Sequence, residues 1–308
     1  MLRRPLLAAA RSTRCRQLIE HAPFASALIE RFVAGQNLAE ALPAISALAQ
    51  DRLVTLDHLG EDVTDAETAE DTVQAYTQLL AELDRTGLAE RVEVSVKLSA
   101  LGQALPQDGE RIALANARRI CAAAQDAGTT VTLDMEDHTT TDSTLDIHAK
   151  LRADYPWVGA VVQSYLRRTE QDCRDLAAAG ARVRLCKGAY DEPASVAYRN
   201  QQDVDRSYVR CARVLMQGSA YPMIATHDPR LIGITQALAV ESGRGLEDFE
   251  FQMLYGVRDT EQRRLAAAGN RMRVYVPYGQ EWYGYYMRRI AERPANLAFF
   301  LRSLVTRG

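Results

Sequence analysis

Eight short runs rich in β-branched and other hydrophobic residues recur along the chain from residue 52 onward. They are RLVTLDHL from 52, VEVSVKL from 92, TVTLDME from 130, VGAVVQS from 158, RVRLCKG from 182, PMIATH from 222, FEFQML from 249 and RMRVYV from 271. Amphipathic stretches between the runs predict helices, and the clearest are 65–85, 110–127, 195–217 and 228–242. The runs repeat about every 30 residues, the length of a strand, a loop and a crossover helix. This pattern predicts one (β/α)8 barrel over residues 51–308.

Helical segments are also expected at the two ends of the barrel. Residues 24–49 have a helical hydrophobic pattern that includes Phe24, Leu28, Ile29, Phe32 and Val33 on one face, so we expect residues 1–50 to form a helical arm. Residues 285–292 read YYMRRIAE and predict a helix over the barrel mouth. A doubly wound sheet is the alternative fold, but no GxGxxG motif follows the first predicted strand.

Polar side chains alternate with hydrophobic ones inside the predicted strands. In the second strand, Val94 and Val96 share one face, whereas Ser95 and Lys97 share the other. The same alternation places Thr132, Asp134, Glu136, Arg182 and Arg184 on polar faces. If the hydrophobic faces meet the helices, these polar side chains fill the barrel and need partners or a ligand. A structural ion-pair network is one explanation, and an active site at the carboxyl ends of the strands is the one we favour.

The composition excludes some classes of function. The chain has 308 residues, 47% of them hydrophobic, and a formal net charge of -3, so nucleic acid is not an expected partner. Its five cysteines form no CxxC motif, and no hydrophobic run approaches the roughly 20 residues of a membrane span. We expect a cytoplasmic protein, with peripheral contact at the inner face of the membrane left open.

Two other kinds of chemistry are suggested by the same residues. The DMEDH segment at 134–138 and His227 contain metal-ligand side chains, but they are out of register, and Lys97 and Arg184 would repel a cation, so no metal is expected. Lys97 inside a barrel also fits a Schiff-base lyase. A carboxylate at Asp134 would keep that lysine protonated, which disfavours the lyase. A ligand-binding barrel without catalysis is a further alternative.

The segment RLCKGAYDEP at 184–193 has features of a loop that contacts a phosphate. Gly188 permits close approach of the backbone, and exposed N–H groups there could contact an anion. Together with Arg184, Gln163 and the ATHD segment at 225–228, this loop could line one elongated cofactor.

The order of these motifs resembles that of the monofunctional proline dehydrogenases, which are related to one domain of the bifunctional proline utilisation A proteins. The motifs are VSVKLSALG, LDMED, QSYLRRT, VRLCKGAY, ATHD, FEFQMLYG and YYMRRIAE. The resemblance covers nearly the whole barrel and covers the N-terminal arm least. It implies FAD-dependent oxidation of L-proline to the cyclic imine 1-pyrroline-5-carboxylate, with a quinone as electron acceptor. A homologue that prefers hydroxyproline is the close alternative, and the sequence leaves the oligomeric state open.

The resemblance also implies roles for individual residues. Arg184 would lie beside the flavin N5, and Asp134 would hold Lys97 in place. The implied cofactor contacts are Met135, Gln163, Lys187, Gly188, Ala189, Thr226 and His227, with Asp228 where many relatives have Asn. The implied substrate contacts are Lys97, Arg288 and Arg289 at the carboxylate and Tyr190, Leu254, Tyr275 and Tyr285 around the ring. Glu292, grouped with the cofactor contacts, would brace the two arginines.

Overall fold

Eight parallel strands form a closed barrel in which each strand pairs with the next along the chain and β8 pairs with β1. The computed structural model describes residues 31–292, and the side chains as far as Met287. The strands are β1 (Leu53–His58), β2 (Val92–Val96), β3 (Val131–Leu133), β4 (Gly159–Gln163), β5 (Arg182–Cys186), β6 (Tyr221–Ala225), β7 (Glu250–Leu254) and β8 (Met272–Tyr278). All eight predicted strands are confirmed, and the closed sheet excludes the doubly wound alternative.

Helices follow the strands around the outside of the barrel. They are α1 (Leu38–Leu48), α2 (Ala66–Arg85), α3 (Gly109–Ala127), α4 (Thr141–Asp154), α5 (Thr169–Ala178), α6 (Gln201–Gln217), α7 (Pro229–Glu241), α8 (Asp259–Ala267) and α9 (Trp282–Glu292). A short 3-10 helix, Leu98–Leu101, follows β2. The prediction of a helix from residue 195 was wrong at its start, because Ala197 pairs with Leu166 in an isolated β-bridge and Asn200 caps α6.

The described part of the N-terminal arm differs from the continuous helix that the periodicity predicts. Residues 31–36 form turns, and α1 begins only after Asn37, whose side chain accepts a hydrogen bond from the Glu40 N–H at 3.0 Å. The Glu40 carboxylate accepts in return from the Gln36 N–H. The two bonds form a cap that fixes the start of α1 at this point. The Ala34 N–H donates to the Pro277 carbonyl, so this segment lies along the end of β8. A domain boundary at residue 50 stays a prediction.

The outward faces of the strands carry the hydrophobic core. Val54 and Leu56 of β1, like Val183 and Leu185 of β5, are buried against the helical layer. One hydrophobic cluster joins β1, β2, β3 and β8 to α1 through α4, and a second joins β4 through β7 to α5 through α8. The hydrophobic core therefore lies between the strands and the helices, and polar side chains occupy the interior of the barrel.

Glu93 is the centre of a charged layer inside the barrel. Its side chain is 2% exposed and accepts hydrogen bonds from Thr55 at 2.7 Å, Arg182 at 2.7 Å and Arg184 at 3.3 Å. Arg273 lies 3.7 Å from the same carboxylate. Burial alone would raise the pKa of Glu93, but the positive charges of the three arginines outweigh burial and hold the pKa well below its ordinary value.

A cavity of about 370 Å³ opens at the amino-terminal ends of the strands, below this charged layer. Arg182, Arg273, Glu93 and Glu250 border it, but the carboxylates and guanidinium groups there are paired with one another. Because active sites of such barrels lie at the carboxyl ends of the strands, we assign this cavity to the structural layer.

Replacement of Glu93 by Gln should strongly destabilise the barrel. The variant keeps the side-chain shape but leaves Arg182 without its bonded carboxylate and removes one of two nearby carboxylates from both Arg184 and Arg273. We expect a loss of about 3 to 5 kcal/mol in the free energy of unfolding. Urea unfolding measures it, and the control is Glu70→Gln, which removes a partly exposed partner of Arg119 and should leave the midpoint near that of the wild type.

The Glu93 effect should also depend on pH in one direction. Because the folded pKa of Glu93 is lowered, its contribution to stability is complete above the unfolded value of about 4.3 and falls as the pH drops below it. The stability difference between wild type and Glu93→Gln should therefore shrink below pH 4. A difference that is small at pH 7 would contradict the assigned role of Glu93.

Candidate active site

Arg184 of β5 is fixed inside the barrel by four hydrogen bonds. Its Nε donates to the Gln252 side chain at 2.6 Å, and its NH1 donates to Ser95 Oγ at 2.8 Å and Asp134 Oδ1 at 2.7 Å, in addition to the bond to Glu93. The side chain of Arg184 is 4% exposed. A guanidinium group held in this way presents a positive charge in one orientation.

Asp134 and Tyr275 stand next to Arg184. Asp134 directly follows β3, and its Oδ2 accepts a hydrogen bond of 2.7 Å from the Tyr275 hydroxyl. The Tyr275 ring lies with its centroid 5.3 Å from the Arg184 guanidinium carbon. Burial and the charge of Asp134 raise the pKa of Tyr275 well above its ordinary value, so its hydroxyl stays protonated and donates. The prediction that Tyr275 points inward is confirmed.

Lys97 has a different partner from the one we expected. Its ammonium group donates to both carboxylate oxygens of Asp57 at 2.7 and 2.8 Å, and both side chains are buried. Asp134 is committed to Arg184 and Tyr275 and does not bond Lys97 directly. Burial alone would lower the pKa of Lys97, but the charges of Asp57 and Asp134 outweigh it and raise the pKa to about 12. The expectation that Asp134 holds Lys97 is corrected in favour of Asp57.

The sequence of β1 also carries a signal for Asp57, which is not among the residues predicted for the site. Thr55 and Asp57 alternate with Val54 and Leu56 in β1, as the inward and outward residues alternate in the other strands. Glu93 of β2 and Gln252 of β7 follow the same rule. Alternation therefore indicates the inward face of a strand that carries polar residues, but it does not say which inward residues touch.

The expected cofactor contacts near β4 lie in a hydrogen-bonded rim. The Gln163 side chain donates to the backbone carbonyl of Glu136 at 2.7 Å, and Met135 beside it is buried. The Glu136 carboxylate accepts from the Ser99 backbone N–H at 3.0 Å and from the Ser99 hydroxyl at 2.6 Å. Burial raises the pKa of Glu136 to about 7 despite these donors. Glu136 therefore joins the segments after β2 and β3 to the end of β4.

Further along the rim, Lys187 and Gly188 follow β5. The Lys187 ammonium group lies 2.6 Å from Asp205 and 3.6 Å from Asp228. Gly188 has φ +109, and a Cβ atom there would lie 2.3 Å from the ring of Tyr165, so only glycine fits. The adjacent residue, Ala189, is partly exposed.

The residues expected to contact the adenine half follow β6. The buried Thr226 hydroxyl accepts from the Asp228 N–H at 3.1 Å. Nε2 of His227 accepts from the backbone N–H of Leu254 at 3.0 Å, which orients the imidazole against the end of β7. Asp228 caps α7 by accepting from the Arg230 N–H. The Arg230 side chain donates to the same carboxylate at 2.7 Å and is the main cause that lowers the pKa of Asp228 to about 2.

The remaining expected substrate contacts are only partly described. Tyr190 is half-buried and Tyr285 of α9 is buried, and the neighbouring Tyr286 ring lies 6.4 Å from the ring of Phe32 in the arm. The side chains of Arg288, Arg289 and Glu292 lie outside the described residues, so their contacts stay predictions.

The described residues offer neither a metal site nor a membrane span. Between residues 31 and 292, no group of three or more His, Cys, Asp and Glu side chains is placed to hold a metal ion. Over the same range, no helix combines the length and the hydrophobicity that crossing a membrane requires.

The known proteins to which this chain is similar include several proline dehydrogenases. A family model described as proline dehydrogenase matches residues 41–302. The chain is 41% identical to a proline dehydrogenase of Deinococcus radiodurans over 281 residues, which cover 90% of each protein. It is 40% identical to proline dehydrogenase 2 of Bacillus subtilis over 275 residues, which cover 89% of each.

A solved structure shares the fold. The structure of proline utilization A from Bdellovibrio bacteriovorus, inactivated by N-propargylglycine, aligns with a TM-score of 0.81 at 26% sequence identity. The alignment covers 92% of this chain and 34% of that one, so the chain spans about a third of the larger protein.

Asp57→Asn should destabilise the barrel through Lys97. Removal of the carboxylate that bonds Lys97 takes away the charge partner of a buried ammonium group, and we expect a loss of about 3 to 5 kcal/mol in the free energy of unfolding at pH 7. Urea unfolding measures it, with Asp71→Asn on the exposed face of α2 as the control.

The pH dependence of stability distinguishes the loss of the Asp57–Lys97 ion pair from a nonspecific destabilisation by the substitution. In the wild type, the raised pKa of Lys97 contributes stability below about pH 10.4 that is lost as the pH rises through about 12. In Asp57→Asn, burial lowers the Lys97 pKa below its unfolded value, so the variant should gain stability relative to the wild type from pH 7 to pH 9. A difference that does not change with pH would contradict the pairing.

Proposed function

Because the chain belongs to the proline dehydrogenase family and is an oxidoreductase that acts on proline, we propose that it oxidises L-proline to 1-pyrroline-5-carboxylate with FAD. The reaction would be the first step of proline degradation to glutamate, with a quinone as the electron acceptor. A quinone dissolved in a membrane would require peripheral contact with the inner face of that membrane. The observation that carries the proposal is the fixed cluster of Arg184, Asp134 and Tyr275 beside Lys97 at the carboxyl end of the barrel.

The residues along the rim fit the chemical groups of FAD. A flavin ring has hydrogen-bond acceptors along its polar edge, and a dinucleotide has an anionic pyrophosphate. Gln163, Arg184 and Lys187 supply an amide, a guanidinium and an ammonium group, and Gly188 leaves its backbone open to close approach. We propose that the cofactor contacts are Met135, Gln163, Arg184, Lys187, Gly188, Ala189, Thr226 and His227, with Glu292 from α9.

When bound, FAD would accept the two electrons and the hydrogen that leave the proline ring carbon next to nitrogen. Arg184 would place its fixed positive charge where negative charge develops during the reaction. Because Gln252, Ser95 and Asp134 already orient its guanidinium group, that charge would not have to reorganise during the reaction.

Lys97 would contribute to the binding of the proline carboxylate. With a pKa of about 12 it is an ammonium group at neutral pH, and the Arg288 and Arg289 guanidinium groups would complete the carboxylate site from α9. The same protonation weighs against the Schiff-base lyase, which needs a neutral amine. Asp57 would keep Lys97 both charged and in place.

Tyr275 would form part of the wall around the proline ring, together with Tyr190, Leu254 and Tyr285. Its hydroxyl is bonded to Asp134 and its ring lies over Arg184, so the ring is fixed from two sides. A fixed aromatic face suits the unsubstituted edge of proline and offers no matched partner to a hydroxyl at that edge.

An absorption spectrum of the purified protein tests the proposed function. We expect a yellow flavin spectrum that L-proline bleaches under anaerobic conditions, and the cofactor released by heat should have the mass of FAD. Colourless protein that borohydride traps on a carbonyl compound would instead support the lyase.

Tyr275→Ser tests the proposed wall. Wild type should prefer proline to 4-hydroxyproline, because the added hydroxyl would lose water against the ring at a penalty of roughly 1 to 3 kcal/mol. Tyr275→Ser removes the ring and adds a hydroxyl, so the ratio of the two kcat/KM values should fall, mostly through lower efficiency with proline.

The matched control is Tyr275→Phe, which removes the bond to Asp134 and retains the ring. Its ratio of kcat/KM values should stay near that of the wild type. A wild-type preference for hydroxyproline, or the same ratio in all three proteins, would show that Tyr275 does not form this wall.

A further inference from the structure

The loop between β5 and α6, residues 187–200, exceeds the usual length of such a connection, which is about two to six residues. Its first four residues, 187–190, are all proposed contacts of cofactor or substrate. A long loop can keep one shape only if side chains outside the regular elements fix it, because each ordered residue loses conformational entropy.

Tyr165 is the side chain around which this loop folds. Its backbone N–H donates to the Lys187 carbonyl at 2.9 Å, and its own carbonyl accepts from the Tyr198 N–H at 2.7 Å. Its ring fills the space beside Gly188 where a Cβ atom would otherwise lie. Its hydroxyl accepts a hydrogen bond from the backbone N–H of Tyr190. Tyr165 therefore contacts the loop at Lys187, Gly188 and Tyr190.

Glu192 fixes the Tyr165 hydroxyl and joins the loop to a second one. The Glu192 side chain is 3% exposed, and its Oε1 accepts from the Tyr165 hydroxyl at 3.2 Å and from the His138 backbone N–H at 3.0 Å. Its Oε2 is bonded to Nδ1 of His138. His138 lies in the β3–α4 loop, the loop that carries Asp134 and Met135.

The burial of Glu192 needs an explanation beyond packing. A carboxylate removed from water destabilises the fold unless donors replace the lost hydration, and here the donors are His138 of the β3–α4 loop and Tyr165 of the β4–α5 loop. An exposed carboxylate, Asp191, precedes it and pairs with Arg199 at the surface. The buried charge therefore connects the β5–α6 loop to the loops after β3 and β4.

We propose that Glu192 is a positioning residue that fixes the backbone of residues 187–190 in the shape that binds the cofactor. It acts through Tyr165 on Gly188 and Tyr190, and through His138 on the β3–α4 loop. Nothing in its contacts requires it to touch the cofactor, the substrate or the reacting atoms. The identity of the cofactor in this inference rests on the proposed function.

The test compares Glu192→Ala with Glu192→Gln and with the control Asp191→Asn. After removal of the flavin, FAD is titrated into each protein and the Kd is read from the quenching of flavin fluorescence. Glu192→Ala should raise the Kd about 10- to 100-fold, because binding must then order the loop. Glu192→Gln should change it less than about threefold, because the amide oxygen can replace Oε1 and the amide N–H can donate to Nδ1 of His138. Asp191→Asn should bind FAD as the wild type does.

Hydrogen exchange in the flavin-free proteins provides a readout that needs no cofactor. The amides of residues 187–198 should exchange faster in Glu192→Ala than in the wild type, while the barrel strands exchange at wild-type rates. Equal Kd values and equal exchange in wild type and Glu192→Ala would overturn the proposal. An equal loss of FAD affinity in Glu192→Ala and Glu192→Gln would overturn the proposal as well.

Tyr165→Phe keeps the proposal testable if Glu192→Ala does not fold. It retains the ring beside Gly188 and removes the hydroxyl that links Glu192 to Tyr190, so the Kd and the loop exchange should both rise, and unchanged values would overturn the proposal. If the wild-type protein binds no FAD, the proposed function fails, and the exchange comparison alone decides the role of Glu192.

Discussion

The ion pairs around Glu93 allow this parallel barrel to keep charged side chains in its interior. Barrel interiors of this type are usually filled by branched hydrophobic residues, whereas here Thr55, Ser95 and Thr132 are fully buried among arginines and carboxylates. Each buried charge is tolerable because an opposite charge is bonded to it. Hydrophobic burial takes place instead outside the strands, against the helices. The barrel thus contains a column of buried polar and charged side chains, and those at its carboxyl end are available for binding and catalysis.

Arg184 connects the structural part of that column to the candidate active site. One edge of its guanidinium group bonds Glu93 below, and the other bonds Asp134 above. The same charge that stabilises the barrel is therefore presented, already oriented, at the carboxyl end of the strands. Lys97 and Asp57 form a second buried ion pair, at the ends of β2 and β1. Because Arg184 and Lys97 each have a fixed partner, their hydrogen-bond donors are held rigidly at the bottom of the site. Helix α9 follows β8 at the same end of the barrel.

The loops around the site are fixed by buried carboxylates rather than by hydrophobic packing alone. Glu136 joins the loops after β2 and β3 through Ser99, and its backbone carbonyl accepts from Gln163. Glu192 joins the loops after β3 and β5 through His138 and Tyr165. A carboxylate can accept from several backbone and side-chain donors at once, so one residue can fix two irregular segments. This explains how long loops can present a defined rim without regular secondary structure.

The sequence by itself determined the eight strands, most of the helical layer, the polar faces of β2, β3 and β5, and the family. These follow from local alternation and from the order of motifs, both of which are linear properties of the chain. Only the tertiary structure decided which inward charges meet: Lys97 pairs with Asp57 of β1 and not with Asp134 of β3. It also decided that residues 31–37 and 195–200 are not helical, since contacts with Pro277 and Leu166 override the local pattern. Alternation gives the face of a side chain but not the neighbour across the barrel, because that neighbour is set by the closure of the sheet.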